Sequence, residues 1–181
     1  MTIVQSPAEA LSRETYLALM WALSYPGQAH ALPAGEDAFI SIGRTLLDLE
    51  TSFYCADETL AAALRETGAR FKPLHEAAYV FMPHTLDMPA LDQLQLGTHA
   101  YPDTGATLIA GCNFDAGDAS ITTWHGPGIA SPRRVLLGNV PPAFWSLRSE
   151  LIHYPLGFDV FFVSKSCVMG LPRTTQVAHE A

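Results

Sequence analysis

The chain has 181 residues, of which 49% are hydrophobic and 15% are charged, and its formal net charge is −8. This length is typical of one domain with a full hydrophobic core, so we treat residues 1–181 as a single domain. The acidic balance argues against non-specific binding of nucleic acid, which needs a basic face, and no apolar run approaches the ~18 residues of a membrane span. The first residues lack the basic and apolar regions of a secretory signal, so we expect a cytoplasmic protein.

The N-terminal third of the chain is predicted to be helical. Ser6 and Glu9 form a capping box, and the helix that they begin should end at residues 24–27, which contain a Pro-Gly pair. A second helix is predicted from one apolar stripe: Phe39, Ile42, Leu46 and Leu49. A third helix should begin after a cap at Asp57 and end at Gly68.

The rest of the chain changes to a strand-rich pattern. Short apolar or alternating runs predict strands over residues 77–82, 107–112, 120–124, 159–163 and 167–171. The last two strands are joined by the polar residues 164–166, which indicates a hairpin, and residues 141–151 have a helical pattern. Helices mixed with strands over short and long connections predict an α/β sandwich with a mixed β-sheet.

Common catalytic sites are not supported by the residue spacing. No two of the seven histidines lie three or four positions apart, so we predict no metal site. Cys55, Cys112 and Cys167 are widely separated and are interpreted as small packing side chains. The two lysines, Lys72 and Lys165, lie in polar contexts that do not suit a Schiff-base enzyme.

Two clusters of basic residues are candidate anion sites. Arg173, Thr174 and Thr175 follow a predicted strand end, where α/β sheets tend to place ligands, and Asp159 begins the neighbouring strand. The partner of Arg173 could be an anion, another subunit, or a group of the same chain.

The second cluster is Arg133 and Arg134, which follow a Gly-Pro-Gly segment at 126–128. Backbone N–H groups and two guanidinium groups could bind a phosphate there. The alternative is a turn with two solvated arginines.

Six segments spread over most of the chain form a further pattern: residues 19–27, 45–51, 97–108, 126–129, 155–159 and 171–175. Together these segments resemble the PhnH family, the H subunit of the bacterial carbon-phosphorus lyase core complex. The resemblance implies a fold similar to the large domain of pyridoxal-phosphate-dependent transferases, without the pyridoxal phosphate site, and therefore no cofactor in this chain. It also implies a homodimer that joins the G, I and J subunits of the complex.

The activity implied by the resemblance belongs to the whole complex. A phosphonate displaces adenine from ATP and gives ribose 1-phosphonate 5-triphosphate, and the carbon-phosphorus bond is cleaved later on the iron-sulfur J subunit. Gln176 stands where the family usually has a histidine, which argues against proton transfer at this position.

Two hypotheses follow for the role of this chain. In the first, it is a structural subunit, inactive alone, in which Asp159 and Arg173 hold an interface. In the second, Arg173, Thr174 and Thr175, with Arg133 and Arg134, bind oxygens of a nucleotide or a phosphonate. A stand-alone pyridoxal phosphate enzyme is a third, less favoured possibility.

Overall fold

The computed structural model describes residues 6–115 and 120–179. The helices in these residues are α1 (Pro7–Ser24), α2 (Ala38–Leu46), α3 (Glu58–Arg65), α4 (Met88–Leu91) and α5 (Pro142–Leu151). The strands are β1 (Ala29–Ala31), β2 (Ser52–Cys55), β3 (Arg70–Phe71), β4 (Tyr79–Met82), β5 (Thr107–Gly111), β6 (Ser120–His125), β7 (Arg133–Leu137), β8 (Asp159–Ser164), β9 (Cys167–Leu171) and β10 (Gln176–His179). The α/β class is therefore confirmed.

The strands form two sheets. The larger is a seven-stranded mixed sheet with the order β1-β9-β8-β5-β4-β2-β3. Its strands β3, β2, β4, β5 and β8 pair in parallel, whereas β9 pairs antiparallel with both β8 and β1. The smaller sheet is antiparallel, with the order β10-β6-β7. The mixed sheet was predicted, but its strands β1, β2 and β3 and the separate antiparallel sheet were not.

The N-terminal helix follows the prediction. The Ser6 side chain accepts a hydrogen bond from the Glu9 backbone N–H at 3.2 Å, and the Glu9 carboxylate accepts one from the Ser6 N–H at 2.7 Å. Both bonds satisfy donors that a helix start leaves free. The helix ends at its cap Tyr25, directly before Pro26.

The second helix is shorter than predicted. It ends at Leu46, and the predicted stripe residue Leu49 lies outside it and is 78% exposed. The cause is local, because the Asp48 carboxylate accepts hydrogen bonds from the N–H groups of Glu50 and Thr51. These bonds form an Asx turn that competes with continuation of the helix.

Most of the remaining boundaries differ by one or two residues, and the third helix ends at Arg65, three residues before its predicted end at Gly68. β4 begins at Tyr79 rather than at 77, because a 3-10 turn covers residues 74–76, and β5 ends at Gly111 rather than at 112. The hairpin of β8 and β9 is confirmed, and its turn residue Lys165 adopts a φ of 53°. The third helix begins after its Asp57 cap, as predicted.

The central strands of the large sheet are buried on both faces. In β8, Phe161 and Val163 pack against α1, α2 and α3 in one hydrophobic cluster, whereas Val160 and Phe162 pack in a second cluster with the small sheet and α5. Successive strand residues point to opposite faces, so a strand covered on both sides must be apolar throughout. The second cluster includes Trp124, Phe144 and Trp145, and Trp145 lines the candidate site described below.

None of the helices in the described ranges combines the length and the apolar character that a membrane span requires.

Candidate functional site

The Arg173 side chain forms an ion pair within the chain. Arg173 follows the end of β9, and Asp159 begins β8, so the antiparallel hairpin places them side by side. Arg173 Nη2 and Nε donate to Asp159 Oδ2 at 2.7 and 3.1 Å, and the Arg173 backbone N–H donates to Asp159 Oδ1 at 2.7 Å. The two side chains are only 13% and 24% exposed, so solvent screens this pair weakly.

A third segment joins this ion pair. Arg173 Nη1 donates to the carbonyl oxygen of Pro102 at 2.7 Å. A Cβ on Gly105 would overlap the Gly157 carbonyl oxygen and would lie 2.6 Å from Arg173 Nη1, so glycine is required for this close approach. We call Arg173, Asp159, Pro102, Gly105 and Gly157 the arginine clamp. It ties the loop before β5 to the start of β8 and the end of β9.

The two threonines after Arg173 have different environments. Thr174 is half-buried, and its backbone packs closely against Gly126 in the turn after β6. Thr175 is 2% exposed, and its N–H donates to the Pro172 carbonyl oxygen at 3.0 Å. Its Oγ1 is buried and has no hydrogen-bond partner among the residues that the structure describes.

A second arginine, Arg148, lies beside Thr175. It projects from α5, is 4% exposed, and donates from Nη2 to the carbonyl oxygens of Pro172 and Thr175 at 2.9 and 3.1 Å. Its Nε has no partner within the described ranges. Burial lowers the pKa of Arg148 to about 10, against an opposing effect of the Asp159 charge. The guanidinium is therefore still cationic at neutral pH, but it has no carboxylate ion-pair partner among residues 6–115 and 120–179.

The indole of Trp145 completes this group. Trp145 is 5% exposed and packs against Phe144, Trp124 and Phe162, with ring centroids 5.0, 6.3 and 6.2 Å away. Its Nε1 is buried and has no hydrogen-bond partner in the described part of the chain. By contrast, the indole N–H of Trp124 donates to Thr122 Oγ1 at 2.8 Å.

These groups line one cavity between α5 and the segment that leads into β10. The cavity has a volume of about 780 Å³, and its walls include Trp145, Arg148, Arg173 and Thr175. The exposed residues His125 and Tyr154 also contribute to the lining. No aspartate or glutamate belongs to the lining among the described residues. We call this space the α5–β10 cavity.

Arg133 and Arg134 lie elsewhere. They are adjacent in β7, so their side chains point to opposite faces of the small sheet, and neither lines the α5–β10 cavity. With the Gln28 amide oriented so that its oxygen faces Arg133, this oxygen accepts from Nη2 at 2.9 Å and from Nη1 at 3.2 Å. The structure therefore does not bring the two arginines together as one clamp. Their role in anion binding stays a prediction.

Comparisons with known proteins identify the family. The sequence model of the family described as "Bacterial phosphonate metabolism protein (PhnH)" matches residues 5–178. The chain belongs to the PhnH family. It is 31% identical to a protein of Stutzerimonas stutzeri named C-P lyase subunit protein HtxG, over 95% of this chain and 92% of that protein. It is also 29% identical to the alpha-D-ribose 1-methylphosphonate 5-triphosphate synthase subunit PhnH of Rhizobium meliloti (strain 1021), over 58% of this chain and 52% of that protein.

The arginine clamp joins three of the segments that resemble PhnH. Residues 97–108, 155–159 and 171–175 are far apart in sequence, yet each supplies at least one member of the clamp. Removal of any one of them would leave charged or backbone groups of the other two without partners.

Sequence reasoning missed Arg148, although a signal was present. Arg148 comes four residues after Phe144, so the 3.6-residue period places it on the buried face of α5. Arginine is rarely buried without a partner, which makes a charge on an apolar stripe informative. Trp145 and Thr175 could not have been recognised in this way, because their lack of partners depends on the tertiary structure.

Other groups considered in the sequence lie apart from this cavity. Lys72 pairs with Glu76 at 3.0 Å, and Lys165 lies in the exposed hairpin turn 3.4 Å from Asp115. Across residues 6–115 and 120–179, no cluster of three or more His, Cys, Asp or Glu side chains could hold a metal ion. Burial raises the pKa of the Cys112 thiol to about 12.

Proposed function

We propose that this chain is a structural subunit of a carbon-phosphorus lyase complex and supports the formation of ribose 1-phosphonate 5-triphosphate from ATP and a phosphonate, with release of adenine. Its relatives are named as subunits of a C-P lyase and of a ribose 1-methylphosphonate 5-triphosphate synthase. The partners in this proposal are the G, I and J subunits. The chain is inactive alone and brings no cofactor.

The observation that carries this proposal is the set of hydrogen bonds that the Arg173 side chain makes within its own chain. The three side-chain hydrogen bonds of Arg173 go to Asp159 and Pro102 of the same chain. These bonds occupy three of the five guanidinium N–H donors, and Asp159 pairs with the guanidinium charge. This supports the structural role of Arg173 over the hypothesis that it binds phosphate itself. Asp159 and Arg173 pair with each other within one chain. That they also hold an interface with another subunit stays a prediction.

The homodimer in this proposal uses the exposed face of α1. The residues on this face are large and apolar: Tyr16, Leu17, Met20 and Trp21, continued by Tyr25, whose ring stacks on that of Trp21 with centroids 5.5 Å apart. Contiguous exposed apolar residues are typical of interaction sites. A twofold axis through this helix would pack the same residues of two copies against each other, as an isologous interface requires.

A charge substitution tests the dimer. Trp21→Glu should convert the dimer to a monomer in sedimentation or native mass spectrometry, because a carboxylate cannot be buried against its own copy at low cost. Leu49→Glu is the matched control, since Leu49 is exposed in the loop after α2 and does not belong to α1. Retention of the dimer by Trp21→Glu would exclude this interface, and loss of the G, I or J subunits from a variant that remains dimeric would assign the face to one of them.

The subunit role is tested by reconstitution. Complexes purified with and without this chain are supplied with ATP and methylphosphonate, and released adenine is measured. Adenine release should require this chain together with the other subunits. Adenine release by the chain alone would contradict the structural role, and full release in its absence would contradict any role in this step.

The similarity to the large domain of pyridoxal-phosphate-dependent transferases is part of the same proposal. The two lysines of the sequence, Lys72 and Lys165, both lie in exposed positions with carboxylate neighbours, which do not favour a Schiff base. Absorbance of added pyridoxal phosphate, fixed to a lysine by borohydride, would contradict the absence of a cofactor.

A further inference from the structure

The large sheet has a topological switch point between the neighbouring parallel strands β2 and β4. After β2 the chain enters α3, whose Leu64 packs in the hydrophobic cluster on one face of the sheet. After β4 it enters the segment with α4, whose Leu91 packs in the cluster on the other face. Open α/β sheets bind ligands outside the carboxyl ends of the strands, where such connections diverge. The fold itself therefore indicates a ligand site beyond Cys55 and Met82, the last residues of β2 and β4.

A cavity lies at this point. Its volume is about 320 Å³, and its lining includes residues that follow β2 and β4, among them Asp57, His84 and Asp87. Small-molecule sites occupy roughly 300–1,000 Å³, so this cavity suits a small ligand. It is separate from the arginine clamp, because Asp159 begins β8 and therefore lies at the amino ends of the parallel strands. We call this space the switch-point cavity.

A histidine and an aspartate form a hydrogen-bonded pair in the cavity wall. Asp57 Oδ1 accepts the N–H of Leu60 at 2.8 Å as the cap of α3, and Asp57 Oδ2 lies 2.9 Å from His84 Nε2. The hydrogen bonds from Leu60 and His84 lower the pKa of Asp57, so its carboxylate is charged and can only accept. Nε2 must therefore carry the proton, which leaves Nδ1 of the neutral ring as an acceptor. The His84 side chain is 75% exposed, so a ligand can reach the ring.

The loop that carries His84 is held by close packing. A Cβ on Gly111, at the end of β5, would overlap the Pro83 carbonyl oxygen, so this loop lies directly against β5. Leu86 of the same loop is buried in the core, and Asp87 accepts a backbone N–H of α4 at 3.2 Å. The wall of the switch-point cavity is therefore formed by the packed fold before any ligand binds.

The lining selects an uncharged ligand that donates hydrogen bonds. It includes the carboxylates of Asp57 and Asp87 and, among the described residues, no lysine or arginine, so a phosphate or phosphonate would be repelled. Tyr54, Met82 and Pro83 supply apolar surface on which a flat ring can pack. An aliphatic ammonium would suit the carboxylates, but it would leave this apolar surface uncovered. A heteroaromatic ring with N–H groups matches both parts of the lining.

We propose that the switch-point cavity binds a small uncharged nitrogen heterocycle, which donates an N–H to His84 Nδ1 and packs its ring on Tyr54. Asp57 is a positioning residue, because it acts by holding the His84 tautomer. This inference goes beyond the structural role proposed above and does not depend on it, since that role rests on Arg173. Adenine has the required flat ring and N–H donors, and it serves as the probe.

The experiment is a calorimetric titration of the full-length chain with adenine, n-butylamine and inorganic phosphate. Adenine should bind saturably, and the amine and the phosphate should not. His84→Gln should weaken adenine binding about fivefold or more, as expected for the loss of one net hydrogen bond. His75→Gln is the matched control and should keep the wild-type affinity. His75 is also exposed and lies 3.7 Å from the carboxylate of Glu76, but it precedes β4 and is therefore at the other end of the strand.

Asp57→Asn tests the positioning role separately. Asparagine also caps helices, so α3 and the unfolding temperature should be retained. The asparagine amide can donate as well as accept, so it no longer requires the proton on His84 Nε2. Nitrogen NMR of the imidazole should show the Nε2–H form in the wild type and a mixture of both forms in Asp57→Asn, with weaker adenine binding. An unchanged tautomer together with unchanged affinity would contradict the role of Asp57.

Three results would overturn the inference. They are the absence of saturable adenine binding by the wild-type chain, wild-type affinity in His84→Gln, and binding of n-butylamine or phosphate at least as tight as that of adenine. Each can be separated from failure of the structural role. A chain that joins the complex but binds no adenine contradicts only this inference, whereas a chain that binds adenine but does not join the complex contradicts only the proposed function.

Discussion

Replacing Arg173 with alanine should destabilise the fold by about 3 kcal/mol. The substitution removes three side-chain hydrogen bonds, two to Asp159 and one to Pro102. Breaking a buried ion pair costs about 3–5 kcal/mol, because the remaining charge is left buried without its partner. The Asp159 side chain is 24% exposed and keeps its bond from the Arg173 backbone, which places the cost near the lower limit.

Thermal and urea unfolding measure this cost. For a chain of this size, 1 kcal/mol corresponds to about 2–4 °C, so the unfolding temperature should fall by roughly 6–12 °C. Arg65→Ala is the control, since its exposed ion pair with Glu58 at 3.8 Å and its contact with the Phe71 ring at 4.7 Å should together contribute only about 1 kcal/mol. In a double-mutant cycle, Asp159→Asn should cost much less in the Arg173→Ala background than in the wild type. A fall of less than about 2 °C, with no coupling between the two sites, would refute the clamp.

Four further outcomes are expected elsewhere in the fold. Thr15→Val should lower the free energy of unfolding in urea by about 1–3 kcal/mol, because it leaves the buried Ser41 hydroxyl without its 2.8 Å bond. Adding Ser41→Ala should restore most of the lost stability, and no recovery would show that the bond is unimportant. Asp37→Ala should lower the free energy of unfolding in urea by about 1 kcal/mol, since the Asp37 carboxylate caps α2 by accepting from two backbone N–H groups. An unchanged stability would contradict this cap. Cys112, with a pKa near 12, should react with iodoacetamide at pH 8 far more slowly than free cysteine, as followed by mass spectrometry, and rapid labelling would mean that this thiol is not buried. The folded pKa of this thiol lies above its unfolded value, so stability should also fall as the pH rises above about 9, and Cys112→Ala should reduce that fall.

Local signals in the sequence predicted most of the elements correctly. The Ser6 capping box and the Asp57 cap act within one turn of helix, so neighbouring residues are sufficient to identify them. The failure at Leu49 has the same local scale, because the Asx turn at Asp48 outweighs an apolar residue at helical spacing. The small sheet was not predicted, since β7 begins with two arginines rather than with an apolar run, and both β7 and β10 pair only with β6.

The candidate site was predicted in part. The sequence pointed to Asp159 and Arg173 because charged residues are rare in this chain and these two flank a probable hairpin. It could not show that they pair with each other, nor that Pro102 joins them from about 70 residues away, because such contacts depend on the packing of the sheet. The cavity next to them was beyond the sequence for the same reason, apart from the signal of Arg148 on the buried face of α5.

The structural role of Arg173 is tested most directly by adenine release per assembled complex. Complexes containing Arg173→Ala are purified at a temperature well below their unfolding transition, counted by native mass spectrometry, and supplied with ATP and methylphosphonate. The account predicts that fewer complexes assemble, but that each releases adenine at close to the wild-type rate. Full assembly of the variant with adenine release abolished in every complex would contradict it, because Arg173 would then act on the substrate.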